Sequence, residues 1–200
     1  MPDPVSNNNV ANVSVGKPKI TGAIYNAPLG STLPTGVADA LDSAFNALGY
    51  VSEDGVTNTN TPETDTVKAW GGDVVQTTQT SKADKFKFKL LESLNSHVLS
   101  AVYGSDNVSG NLDDGLTVHA NSKQLPASAW VIDMILTGGI LKRIVIPEAE
   151  IAEVGDIVYK DNDVIGYDLT LNALPHSAYS GDTHREFLKK PAAANNNNNQ

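Results

Sequence analysis

Two periods of apolar residues run through the chain. A three- and four-residue spacing sets Val37, Ala40, Leu41, Ala44, Phe45 and Leu48 on one face of a predicted helix. Asp39, Asp42, Ser43 and Asn46 fall on its other face, and Thr35 is placed to cap its first turn. Gly49 stands at the left-handed stop, with Tyr50 folding back on Phe45. A second helical stripe joins Leu91, Leu94, Val98, Leu99 and Val102, closes at Gly104, and leaves His97 off the apolar face. A two-residue period marks the strands. Phe86, Phe88 and Leu90 alternate with Lys85, Lys87 and Lys89 in the strand 82–91. Trp130, Ile132, Met134 and Leu136 lead into Gly138-Gly139, and Ile140, Ile144 and Ile146 return, a β-hairpin in which Asp133 can pair with Lys142 or Arg143. Ile165, Tyr167, Leu169 and Leu171 alternate with Gly166, Asp168, Thr170 and Asn172 in a half-buried antiparallel strand.

Weaker signals fill the gaps. Residues 20–25, 50–52 and 156–160 read as short strands, and 67–80 as a strand interrupted by a bulge at Gly71-Gly72. Between them, 53–66 has no apolar residue but Val56 and Pro62, and reads as a long polar loop. Residues 1–19 are polar and read as a flexible N-terminal arm. Residues 181–200 end in five asparagines and a glutamine and read as a flexible C-terminal tail. The body, 20–180, is expected to be mainly β: an antiparallel β-sandwich or partly open barrel flanked by one or two α-helices.

Composition narrows the chemistry. Two hundred residues suit one domain with appendages. There is no cysteine, so disulfides and thiolate metal sites are excluded. No stretch approaches the ~18–20 apolar residues of a membrane helix, and the first residues lack the pattern of a secretory signal, so synthesis in a cytoplasm and no membrane partner are expected. The four histidines (His97, His119, His176, His184) are scattered, and no phosphate-binding, dinucleotide or nucleophile-elbow motif occurs. Asp106, Asp113 and Asp114 share a polar span that lacks the order of a calcium loop. No enzyme, cofactor or metal is expected. Trp70 and Trp130 lie in strand-like apolar settings and are expected in the core. Were they exposed for sugar stacking, the chain would instead read as a monomeric adhesion or carbohydrate-binding β-sandwich.

The segments LGYVSEDGV, KAWGGDVV, FKFKLLESLNSHVLSAVYG and VGDIVYKDNDVIGYDLTLNALP, in this order and with the Thr137-Gly138-Gly139 hairpin between the last two, resemble the major tail (tail tube) protein of long, non-contractile-tailed bacteriophages across roughly residues 20–180. The resemblance implies a virion structural subunit whose copies form rings, usually hexameric, stacked into a tube through which DNA leaves the capsid. It also implies a long loop and arms that make ring-to-ring contacts. Glu53, Asp54, Thr57, Asn58, Asn60, Glu63 and Asp65 of the loop are the expected stacking contacts. Lys85, Lys87 and Lys89 are either a solvated sheet face or partners for acidic groups of an adjacent subunit. The expected partners are further copies of the chain, with tape-measure and tail-terminator or tip proteins besides. The net charge of −9 serves solubility, or it lets DNA pass an acidic bore without specific binding. Screening confines that repulsion to about 8 Å at physiological salt, so it acts only in a narrow bore.

Overall fold

The computed structural model describes residues 8–19 and 22–191. In chain order its strands are β1 (Gly16–Pro18), β2 (Ile24–Pro28), β3 (Asn46–Ala47), β4 (Val51–Lys68), β5 (Val74–Leu90), β6 (Val108–Asn111), β7 (Gly115–Val118), β8 (Ser128–Leu136), β9 (Leu141–Val154), β10 (Tyr167–Ala173) and β11 (Arg185–Lys189). One α-helix among the described residues, α1 (Ser96–Tyr103), lies between β5 and β6. Nine strands form a single antiparallel sheet in the order β3-β2-β8-β9-β10-β5-β4, with β1 beside β8 and β11 beside β9; β6 and β7 form a separate hairpin. The sheet is not closed into a barrel. The mainly β, antiparallel architecture with a flanking helix is therefore as expected. No helix is long and apolar enough to cross a membrane among the described residues.

Alternation along the central strands builds two cores. On β8 and β9, Trp130, Ile132, Ile144 and Ile146 point to one face, where Phe86, Phe88, Leu90, Leu169 and Leu171 join them beneath Val98, Leu99 and Val102 of α1. Each such side chain, fully buried, contributes about 1.5–3 kcal/mol. Ala129, Val131 and Val145 point to the opposite face and pack with Phe45, Tyr179 and Leu41. That second core is pinned by an ion pair. Asp133 and Arg143 sit opposite each other in the β8–β9 register. Both are buried, and the guanidinium donates from Nε (2.7 Å) and Nη2 (2.8 Å) to the two carboxylate oxygens. Arg143 Nη1 donates onward to the carbonyls of Gly36 (3.1 Å) and Asp39 (2.8 Å), which ties the covering loop to the sheet. Losing one partner of such a pair typically costs about 3–5 kcal/mol, because the other charge stays buried.

Several expectations change. The helix expected over 37–48 does not form; the segment runs as turns and extended pieces across the second core. Asp39 accepts from the backbone N–H and hydroxyl of Thr35, and Asp42 accepts from the N–H of Ala44, so carboxylates hold turns where a helix would need its own carbonyls. Gly49 does take a positive φ, 72°, yet its role differs. The Glu92 side chain occupies the space a Cβ would fill, and Glu92 Oε1 accepts from the N–H of Tyr50. The second helix starts at Ser96, five residues later than its stripe, because Asn95 caps it by accepting from His97 N (2.9 Å); Leu94 is left exposed. The first strand of the body is Ile24–Pro28, with residues 20 and 21 of the expected strand outside the described residues. No strand forms at 156–160. Gly155 makes the last bond, to Asp168 O at 2.8 Å, and the chain then leaves the sheet.

The expected loop 53–66 is strand β4, paired with β5 from Val56↔Phe88 to Lys68↔Val74. Gly71 and Gly72, expected as a bulge, lie in the connecting turn with φ of 119° and 100°. Parts of both expected tails also join the sheet: Gly16–Pro18 pairs with β8, and Arg185–Lys189 pairs with β9. The remaining tail expectations, for 1–7 and 192–200, lie outside the described residues.

Candidate assembly surface

The β4–β5 hairpin divides into a root and a shaft at Asp84. Below that point β5 is flanked by both β4 and β10, and Phe86, Phe88 and Leu90 feed the main core. The β10 pairing ends at Asn172↔Lys85, opposite Thr59, so from Asn60 outward only two strands remain. Residues 57–82 are exposed throughout. At ~3.3 Å per residue the ribbon projects about 30 Å from the body. Both its faces are wet, and on this stretch the outer edges of β4 and β5 have no strand partner among the described residues.

The root is fastened by a buried carboxylate. Asp84 Oδ1 accepts from Asn58 Nδ2 (2.8 Å) on β4, while Oδ2 accepts from Thr183 Oγ1 (2.5 Å) and lies 2.6 Å from His184 Nδ1. The His184 ring stands edge-on to Phe86 at 5.2 Å. Burial pushes the Asp84 carboxyl up. The hydrogen bonds from Thr183, Asn58 and His184 together outweigh it, so its pKa lies below the ordinary carboxylate value. Both strands of the hairpin and the segment before β11 are thereby held at one point.

The tip is apolar. Ala69 N donates to Asp73 O at 2.7 Å and Gly72 N to Ala69 O at 3.0 Å, a tight turn that holds Trp70 fully in solvent. Val67, Val74 and Val75 beside it are also exposed. Trp70 was expected in the core and is not there; the ribbon carries it away from any core. Trp130 is fully buried, as expected.

The other expected contact residues follow the same division. Glu53 and Asp54 lie in the irregular start of β4, where the register with β5 breaks between Val51 and Val56. Thr57, Asn60, Glu63 and Asp65 stand along the exposed ribbon opposite Lys87, Asp84, Ser81 and Thr78. Asn58 is different, because its side chain belongs to the root and also donates to Lys85 O (3.2 Å). Lys85, Lys87 and Lys89 share the outer face of β5, and Lys87 Nζ reaches Asp168 of its own chain at 3.5 Å. The signal missed in 53–66 was β-branching: Thr57, Thr59, Thr61, Thr64 and Thr66 favour extended backbone even where nothing apolar alternates.

Clefts on the body are shallow. One of about 400 Å³ lies between α1, the end of β2 and the 125–128 segment. Trp130 lines its floor, and the indole Nε1–H has no acceptor among the described residues. No group of three or more His, Asp or Glu side chains that could hold a metal ion occurs among the described residues.

No curated protein matches the chain. A protein-family model described as "Phage tail tube protein" matches residues 8–195.

Proposed function

Since the chain belongs to the phage tail tube protein family, a family of virion structural proteins of the phage tail, we propose that its copies close into rings of six and that the rings stack into the tube that conducts DNA out of the capsid. The observation that carries this is the ribbon. A two-stranded hairpin alone in water is marginally stable at best, and long unprotected strand edges pair with other chains. Here some 30 Å of ribbon has free edges and solvent on both faces, so it requires flanking copies. Edge-to-edge pairing of ribbons around a ring axis gives a continuous wall, a heterologous contact that closes when the rotation closes.

In this reading Glu53, Asp54, Thr57, Asn60, Glu63 and Asp65 present acidic, hydroxyl and amide groups to a neighbour, while Lys85, Lys87 and Lys89 offer the complementary sign. Segments at both chain ends, with β1 and β11 as their anchors on the sheet, serve as arms to adjacent subunits. The tail is of the long, non-contractile type. Its length is set with a tape-measure protein, terminator and tip proteins cap its ends, and DNA passes without specific binding. The adhesion-module reading gains from the exposure of Trp70 only in part, since one aromatic ring on a turn has no second ring or polar cleft to hold a sugar. Negative-stain microscopy of the purified chain at rising concentration tests the proposal. Hollow rods or rings are expected; a chain that stays monomeric throughout refutes it.

A further inference from the structure

Two elements at the margins of the fold are tied to one buried carboxylate. The ribbon leaves the body at Asp84, and β11 begins directly after His184. Of the side-chain donors on Asp84, Asn58 comes from the first strand of the ribbon itself and meets Oδ1 at 2.8 Å. Thr183 and His184 reach Oδ2, at 2.5 and 2.6 Å, from the two residues that lead into β11. The carboxylate is buried, and the His184 ring is seated edge-on against the buried Phe86 at 5.2 Å.

β11 is lightly held by everything else. None of its five side chains is buried. Phe187 is half-buried against the second core, and Glu186 makes a partly exposed ion pair with Lys142 at 2.9 Å. Its far edge has no strand partner among the described residues. Elements with so little burial open at low free energy. An opening that lifts β11 from β9 also withdraws Thr183 and His184, because they adjoin it in the chain. Asp84 then keeps Asn58 alone of these three donors, and a buried charge short of donors is unfavourable. Opening the root lets water reach the carboxylate and removes that imbalance. The root is also where the hairpin loses its third strand, since β10 pairs no further than Lys85.

We infer that Thr183 and His184 form a clasp that couples β11 to the ribbon: β11 docked on β9 keeps the ribbon root closed, and β11 released lets the root open. The two states differ by named contacts, the two bonds to Asp84 Oδ2 and the ring contact with Phe86. Linkage makes the coupling run both ways. The clasp is a property of one molecule. Its use in assembly rests on the tube-building reading: a neighbour that orders the ribbon also holds β11 down, and one that draws β11 away loosens the ribbon.

Hydrogen–deuterium exchange of the full-length free chain tests the clasp. Thr183→Ala combined with His184→Ala should speed exchange of the ladder amides within 57–60 about fivefold or more. Neither side chain is hydrogen-bonded to that strand, and 129–135 and 167–173 should not change. Asn58→Ala should speed exchange at 185–189 by a similar factor, although Asn58 lies in β4 and β11 pairs with β9. Acceleration confined to the strand or segment substituted would overturn the coupling. A second comparison decides the matter should those variants unfold. The chain has no cysteine, and Lys142 and Leu188 stand opposite each other in the β9–β11 register, within reach of a disulfide. Lys142→Cys with Leu188→Cys, studied oxidised and reduced, pins β11 without altering Asp84 or its donors. Slower exchange at 57–60 in the oxidised form is expected, and equal exchange in the two forms would overturn the clasp. A chain that never forms tubes would end the assembly reading, and these exchange rates would still decide the clasp.

Discussion

Asp84 shows how much of this molecule depends on single polar groups placed where strands diverge. It is buried between Asn58, Thr183 and His184 at the point where the hairpin leaves the sheet. Its pKa is lowered in the fold, so its contribution to stability is complete above the unfolded value of about 3.9 and is lost as pH falls through the lower, folded value. Thermal melts from pH 6 down to pH 2.5 should therefore show stability falling most steeply below about pH 4. Asp84→Asn should flatten that slope, and an unchanged slope would remove the carboxylate from the account. Asp84→Ala should cost about 1–3 kcal/mol at neutral pH in urea denaturation, since three donors lose a buried acceptor. Its structural role was not legible in sequence. Asp84 sits in a lysine-rich run, and the partners that make it structural lie 26, 99 and 100 residues away.

Among the elements, the long hairpin is separable from the body. No side chain from Thr57 to Lys82 is buried, so replacing Thr61–Ala83 with a two-residue Asn-Gly turn removes no core and keeps the Asn60↔Asp84 pair. That truncated chain should melt within a few degrees of the parent and should give no tubes by negative stain. Tubes of ordinary length from it would show that the ribbon is dispensable. Cutting only residues 58–65 is the poorer experiment, because it removes one strand and orphans the other. The same element explains what could be foreseen. Phe86, Phe88 and Leu90 alternate because one face of β5 is buried, and β10 was legible for the same reason, whereas β8 and β9 are buried on both faces and show as nearly continuous apolar runs. Period-two patterning records burial of one face, so a ribbon wet on both faces leaves only its threonines as a trace. The misread segment 37–48 fails in the opposite sense. Its apolar residues do reach a core, but Arg143 binds the carbonyls of Gly36 and Asp39 and fixes the backbone in turns. Local spacing cannot encode a guanidinium arriving from more than a hundred residues away.

At the scale of the whole molecule, the body and the projecting ribbon should differ in stability. Backbone amides of β8, β9 and β10 lie in the middle of a nine-stranded sheet, whereas those of 60–82 have one strand neighbour and no cover. Hydrogen–deuterium exchange of the free chain should show rapid labelling of 60–82 against slow labelling of 129–135 and 167–173. On assembly the protection of 60–82 should rise sharply, and labelling that stays rapid in tubes would contradict a role for the ribbon in the wall. The net charge of −9 works against crowding of copies, and the exposed lysines of β5 offset it locally.

The ribbon also bears on how a filament would begin. Two free molecules that meet can shelter each other's ribbons on one side only, while a molecule arriving at a finished ring finds a row of neighbours already in place. Ordering a solvent-exposed strand pair costs conformational entropy each time, and only the second encounter returns enough contact to offset it. Extension of an existing end is thus favoured over spontaneous starts, and tubes from the purified chain should appear after a lag that added tube ends shorten.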